Sequence, residues 1–288
     1  MKKLFAFAMA AIMSLSMVAC SSEGNSESKA AANKLEEVMQ KGYITVAVSP
    51  DFAPNEFLDP NKEGQDAVVG CDIELAKYIA DYIGVDLKIE QLNFETCQAA
   101  AATGKVDFSL NGYAKLPDRE ENMECSVYYN WDAPDADDGL PEHIVIVPAG
   151  EEENYKTAED FAGKKLAVQN GSLQYNLAVE QLPADIQMEY ISSLNDGIMM
   201  VATGKVDGLV CAYDTAIGYC ENYDEIGISE FEFEYESDGT IAIAQKGQTE
   251  LMTKINEAIE KATEEGLFPQ WKADAVAYAK SLGFKDVE

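Results

Sequence analysis

The chain has 288 residues, with 52 acidic against 21 basic side chains and a formal net charge of −31. That balance excludes nucleic acid as a partner and argues against a chain that lies on anionic lipid. A single histidine, His143, excludes a His-based metal cage, and no G-x-x-x-x-G-K-S/T or G-x-G-x-x-G loop is present to cradle a phosphate, so neither metal nor cofactor is expected.

At the amino end, Lys2 and Lys3 precede an apolar run from Leu4 to Val18. The run is too short to span a bilayer, which needs about 20 residues, and it has the layout of an export signal over 1–19. Cys20 follows Met17-Val18-Ala19, a pattern that resembles the lipobox of bacterial lipoproteins with Met17 where Leu is usual. Cys20 is therefore expected to carry the lipid, and the Ser-, Glu-, Asn- and Ala-rich stretch through residue 33 to act as a tether. The protein would be held on the outer face of the cell membrane, or in the periplasm where the envelope has two membranes. Five further cysteines, Cys71, Cys97, Cys125, Cys211 and Cys220, form no C-x-x-C pair and read as small buried hydrophobes.

The remaining residues, roughly 255, suffice for two modest cores. Tyr43 to Val48 reads as a strand, and Ile73, Ala76, Ile79 and Ile83 mark one face of a helix stopped by Gly84; Val85 to Leu92 is again strand-like. A helix then ends in Ala102-Thr103-Gly104-Lys105-Val106-Asp107 and feeds the apolar Phe108 to Leu110. The whole pattern returns. Lys165 to Val168, a helical Leu173 to Leu182 and Ile186 to Ile191 lead to a second Ala202-Thr203-Gly204-Lys205-Val206-Asp207, identical to the first, and to Leu209 to Cys211. Each half reads β-α-β-α-β, which predicts two similar α/β lobes, each with a parallel sheet covered on both faces and a ligand edge at the strands' carboxyl ends. His143 opens the apolar run Ile144 to Val147 and reads as a residue at a strand's end.

More specific information starts at Ser49-Pro50-Asp51-Phe52-Ala53-Pro54-Asn55-Glu56-Phe57. This segment resembles the one that opens the binding site in the extracellular solute-binding proteins of polar amino acid ABC importers. The resemblance continues in register through Gly70-Cys71-Asp72-Ile73-Glu74-Leu75-Ala76, Phe94, the first Gly-Lys-Val-Asp and Leu116-Pro117-Asp118-Arg119. It resumes with Val168-Gln169-Asn170-Gly171-Ser172, the second Gly-Lys-Val-Asp, Gly239-Thr240-Ile241-Ala242, Lys246-Gly247, Asn256 and Trp271, so that it spans Lys41 to Trp271.

The resemblance implies a periplasmic-binding-protein-like clamp of the type crossed twice by the chain. Lobe 1 would hold 34–128 and 239–288, lobe 2 would hold 140–234, and the hinge would lie in 129–139 and 235–238. Carried over residue by residue, Arg119 matches the arginine for the ligand's α-carboxylate, and Phe52 and Phe94 match the aromatic walls. Gly171 and Ser172 match the second lobe's amide donors before a helix, with a plain N-cap by Ser172 as the alternative. Asn111 and Gly112 match the segment whose backbone meets the amino end.

This chain also departs from the pattern. Ala114 stands for a Thr or Ser, Leu116 for a second Thr, Asn55 for a Phe, and Ala212 for the Asp that takes the α-amino group. Asp214-Thr215 looks like the family's acidic pair displaced by two residues, and in an extended segment 212 and 214 share a side, so Asp214 is the candidate counter-charge. Ser49 occupies a position where members that bind basic amino acids carry an Asp, which weighs against lysine-like ligands. The acidic stretch Asp132 to Glu142 lacks the alternating oxygen ligands of a Ca²⁺ loop and reads as solvated hinge. Trp131 beside it caps the ligand or covers the hinge.

The expected function is capture without chemistry: a monomeric, non-enzymatic binding component that hands a small carboxylate-bearing solute, above all an amino acid, to ABC permease subunits. Two rivals stay open at this point. A dehydratase-like enzyme on the same clamp would use Glu56 or Asp214 as general acid. A sensor partner would receive the closed clamp in place of a permease.

Overall fold

The computed structural model describes residues 31–131, 142–235 and 239–284. The export segment, Cys20 and most of the tether, the acidic stretch of the first crossing and residues 236–238 of the second lie outside the described residues.

The first part of the chain runs through α1 (Lys34–Lys41), β1 (Tyr43–Val48), β2 (Asp51–Phe52), β3 (Glu56–Leu58), β4 (Val68–Val69), α2 (Cys71–Ile83), β5 (Asp86–Gln91), α3 (Phe94–Ala102), β6 (Phe108–Tyr113), α4 (Pro117–Asn122) and β7 (Met123–Cys125). The second contains β8 (His143–Pro148), β9 (Lys165–Gln169), α5 (Leu173–Gln181), β10 (Gln187–Ile191), α6 (Leu194–Ala202), β11 (Gly208–Ala212), α7 (Tyr213–Cys220) and β12 (Ile226–Glu232). Then follow β13 (Ile241–Gln245), α8 (Thr249–Glu264) and α9 (Leu267–Ser281).

Two five-stranded sheets carry the lobes, in the orders β5-β1-β6-β13-β7 and β10-β9-β11-β8-β12. The orders correspond strand for strand. In each, the first three strands are parallel, as β-α-β connections require. The expectation of purely parallel sheets is corrected by the fourth: β13 runs antiparallel to both its neighbours, and so does β8. Both are the strands that follow a crossing from the other lobe, and their direction is set by where the chain enters. A small antiparallel sheet, β2-β3-β4, rides on the first lobe ahead of α2.

Both large sheets are covered on both faces. Ile73, Ala76 and Ile79 of α2 pack with Leu251, Ile255 and Ile259 of α8 on one face of the first sheet, and Cys97, Ala100 and Ala101 of α3 cover the other. In the second lobe, Leu194, Ile198 and Val201 of α6 oppose a layer built on Leu177, Tyr155 and Phe161. Cys71, Cys97 and Cys211 are buried, Cys125 and Cys220 half-buried, and all five are free thiols.

The repeated hexapeptide folds the same way twice. Ala102 and Ala202 are the last residues of α3 and α6, Thr103 and Thr203 return their hydroxyls to the carbonyls four residues back, and Gly104 and Gly204 take positive φ. Asp107 then accepts the N–H of Thr45 at 2.7 Å, and Asp207 that of Lys165 at 2.8 Å. Asp107 thus pins β1 against β6, and Asp207 pins β9 against β11.

Candidate functional site

The strand ends of the two sheets face each other across a cleft of ≈ 180 Å³. This is below the roughly 300–1,000 Å³ of drug-sized ligand pockets and suits a solute no larger than a single amino acid.

Arg119 is the first lobe's cation in this cleft. Pro117 at the start of α4 brings it inward, and only 3 % of the residue remains exposed. Its Nε donates to Gln98 Oε1 (3.2 Å), Nη1 to the Ala114 carbonyl and Nη2 to the Gly171 carbonyl of the second lobe (2.7 Å). The guanidinium lies 4.9 Å from the Tyr113 ring centroid and 5.9 Å from that of Phe94. Burial lowers its pKa, and the groups that oppose this effect are tyrosines and a cysteine, with no carboxylate among them. A buried charge without a counter-ion is costly.

Phe94 opens α3 behind the N-cap Asn93 and packs on Tyr113, with ring centroids 5.4 Å apart. Phe52, on β2, leaves its own lobe to pack against the second lobe's core. It also explains Gly112: φ is +54° there, and a Cβ would sit 2.8 Å from the Phe52 ring. The Gly112 N–H donates to Asp72 Oδ2 (3.2 Å), so a solute meeting Gly112 meets its carbonyl. The side chain of Asn111 turns inward, accepting the Ser49 N–H and donating to Tyr113 Oη (2.8 Å) and Ser109 Oγ (3.0 Å). It braces the strand ends of β1 and β6.

In the second lobe the Gly171 carbonyl and both the N–H and the hydroxyl of Ser172 make hydrogen bonds. The carbonyl of Gly171 accepts from Arg119, the Ser172 N–H goes to the Gln169 carbonyl (3.3 Å), and Ser172 Oγ caps α5 through the Tyr175 N–H (3.0 Å). Ser172 thus acts as an N-cap, a role compatible with donating to a solute as well.

Asp214 is not brought to the cleft. Ala212 lines it, but α7 begins at Tyr213, and on a helix positions two apart point to different sides. The extended segment assumed for 212–214 ends two residues too early, at Ala212. Asp214 Oδ2 instead lies 3.8 Å from Lys272 Nζ and faces a second cavity of ≈ 350 Å³ between the lobes. Trp131 is likewise drawn away, packing against Tyr129 and Phe268 in the first lobe's core.

Several cleft residues escaped the sequence reading. His143 is one. Because β8 is antiparallel, its amino end, and not its carboxyl end, lies at the ligand edge, directly opposite Ala212. Its Nδ1 lies 3.4 Å from Gln174 Nε2 and its ring 5.1 Å from that of Tyr235, and burial lowers its pKa to about 4, so the imidazole is neutral at pH 7. Asp51 is another, whereas Glu56, the acid named for the enzyme rival, does line the cleft. The carboxyl oxygens of Glu56 are fully buried at the cleft and accept no N–H or O–H from the described residues. Burial, and next the carboxylate of Asp72 beside it, push the Glu56 pKa well up, which keeps it protonated against Asp72. Among the described residues no group of three His, Cys, Asp or Glu could hold a metal ion, and no helix is long and apolar enough to cross a membrane.

Two α/β lobes with their strand ends around a small cleft, and one buried cation there that makes no ion pair with the described residues, define a solute-binding clamp. The chain belongs to the bacterial extracellular solute-binding proteins, family 3, whose family model matches residues 44–273. It is similar to the arginine-binding extracellular protein ArtP of Bacillus subtilis, 27% identical over 92% of this chain and 94% of the relative. A probable histidine-binding protein of Campylobacter jejuni is 24% identical over 93% and 96% of the two chains. Among solved structures, an amino acid ABC transporter substrate-binding protein AbpA from Streptococcus pneumoniae, bound to L-arginine, superposes with a TM-score of 0.72. It is 28% identical, with 83% of this chain and 97% of that one covered.

Proposed function

We propose that this chain is the capture subunit of an ABC importer and that its cargo is a free α-amino acid, held without chemical change and delivered to permease subunits. The observation that carries the reading is the uncompensated guanidinium of Arg119, to which a solute's carboxylate would supply the missing charge. Asp51, which lines the cleft, favours a zwitterion over a simple carboxylate, since no cation among the described residues opposes its burial. It supplies the negative field that Ala212 cannot, while the protonated Glu56 beside Asp72 adds a neutral polar group. The named relatives are binding proteins for arginine and histidine, which makes those two amino acids the first to try.

In this reading Tyr129, which opens the hinge segment 129–139, and Thr240, just past the hinge segment 235–238, exchange backbone N–H···O bonds of 2.9 Å, with lobe boundaries at 34–128 with 239–288 and 140–234. Residues 1–19 serve export and Cys20 carries the lipid that keeps the clamp at the membrane.

The test is thermal stability of unfolded and refolded protein, freed of carried-over solute, against a panel of amino acids and simple carboxylates. A ligand at about 100 times its Kd adds roughly 2.7 kcal/mol. An Arg119→Ala variant should lose at least tenfold in affinity, since each hydrogen bond to a charged group contributes about 1.5–3 kcal/mol. A shift with carboxylates alone, or an Arg119→Ala protein that titrates like the parent, overturns the amino-acid reading.

A further inference from the structure

Among the described residues, Phe52 packs on the second lobe's core and several polar contacts join the lobes. Arg119 reaches the Gly171 carbonyl, Asn170 Nδ2 donates to Glu95 Oε1 (2.9 Å), Lys272 faces Asp214, and Asp51 bonds the second lobe twice. A carboxylate arriving at Arg119 competes with Gly171 for the guanidinium, so that bridge weakens as the cleft fills. Asp51 is placed differently.

Asp51 stands on β2, immediately before the aromatic wall Phe52. Its Oδ2 accepts the N–H of Leu194, the first residue of α6, at 2.7 Å, and its carbonyl accepts from the Tyr219 hydroxyl at 3.3 Å. Ser49 Oγ donates to the remaining Oδ1 at 2.8 Å and fixes the carboxylate's orientation. The partners are 143 residues apart in sequence and sit on different lobes, so the bond exists only while the lobes are together. It is also well chosen electrostatically. Ser193 caps α6 from within the lobe by accepting the Asp196 N–H, and Asp51 adds a full negative charge at the positive end of the helix.

We propose that Asp51 is the latch of this clamp: a first-lobe carboxylate that binds the amino end of α6 across the cleft and sets how long a captured solute is retained. The proposal rests on the solute-binding reading above. Closure takes this carboxylate out of water, and burial raises its pKa against the lowering effect of the Leu194 and Ser49 donors. The lost hydration offsets part of the bond, so the latch holds the lobes without locking them, as release to a permease requires. Asp51 is a positioning residue here, acting through the lobe contact.

Two variants remove the bond from opposite sides. Asp51→Ala deletes the acceptor. Leu194→Pro deletes the donor at a helix position that tolerates proline, and Ser193, with φ −142° and ψ 156°, already has the backbone a residue before proline adopts. Leu194→Ala, which loses the side chain and keeps the N–H, separates packing from the bond, and Asp51→Asn keeps an acceptor.

The purified protein is loaded from an equimolar mixture of the twenty common L-amino acids, and release is timed after rapid dilution. Asp51→Ala and Leu194→Pro should each release roughly tenfold faster or more, with association changed by only a few-fold, and the double variant no faster than the singles. Leu194→Ala should stay near the parent, and Asp51→Asn, which keeps an acceptor but loses the charge at the helix end, should release at a rate between those of the parent and Asp51→Ala. In small-angle scattering of the solute-free protein the two latch variants should be wider than the parent. Unchanged release, additive effects in the double variant, or unchanged scattering overturns the latch. If the parent loads nothing from the mixture, the amino-acid reading fails, and the scattering comparison alone decides the latch.

Discussion

The two copies of Ala-Thr-Gly-Lys-Val-Asp share every residue and every local bond, yet they stand in different surroundings. In the first, the Asp107 side chain is 1% exposed, gripped by Lys41 Nζ at 2.8 Å with Lys34 Nζ at 3.4 Å, because α1 lies over it. In the second, no helix equivalent to α1 covers the turn among the described residues, and the Asp207 side chain is 42% exposed with Lys164 Nζ at 3.7 Å. Gly104 is crowded too, since a Cβ there would meet Gln245 Oε1 at 2.5 Å, whereas one at Gly204 would meet nothing within 4 Å. A duplicated turn therefore sets the same local fold twice, and the elements that close over each copy decide what the aspartate is worth.

The sharpest break of this comparison is a matched pair of substitutions. Asp107→Ala strands two partly buried lysines and the Thr45 N–H, and should cost about 3 kcal/mol in urea unfolding, whereas Asp207→Ala should cost about 1 kcal/mol. Equal losses would mean that the shared strand-pinning bond, and not its cover, carries the energy.

The entering strands give a second asymmetry. β8 brings His143 to the cleft and β13 brings Thr240. His143 has its folded pKa lowered from 6.5 to about 4, so as pH falls through that window the unfolded chain takes up a proton that the folded one refuses. Stability is lost there, by about 3 kcal/mol at pH 4 if each unit contributes about 1.4 kcal/mol. In a His143→Gln protein this part of the pH dependence should be absent, and stability profiles of parent and variant that run parallel between pH 7 and 4 would refute it.

The smallest difference lies at the helix after each first strand. α5 is capped by Ser172, while α2 has Gly70, with no side-chain cap and no room for a Cβ, which would meet the Asn55 carbonyl oxygen at 2.1 Å. The Pro54 and Asn55 carbonyls take the first N–H groups of α2 instead. Ser172→Ala should thus cost about 1 kcal/mol in thermal unfolding and leave the first lobe untouched in hydrogen exchange.

Much of this was legible in the chain. The alternation of strand and helix, the stops at Gly84, Gly104 and Gly204, and the two-lobed repeat follow from local periodicity and backbone sterics, which act over a few residues. Arg119, Phe52 and Phe94 were marked by motif and do meet at one cleft. What local pattern could not supply was direction and cover. Whether β8 runs with or against its sheet decides that His143 reaches the cleft, and the start of α7 at Tyr213 turns Asp214 away from it. The meeting of Asp51 with Leu194, like the burial of Asp107 under α1, depends on contacts between segments far apart in sequence. Such contacts exist only once the lobes have packed, because burial and long-range hydrogen bonds are properties of the assembled surfaces and leave no mark in any one stretch of residues.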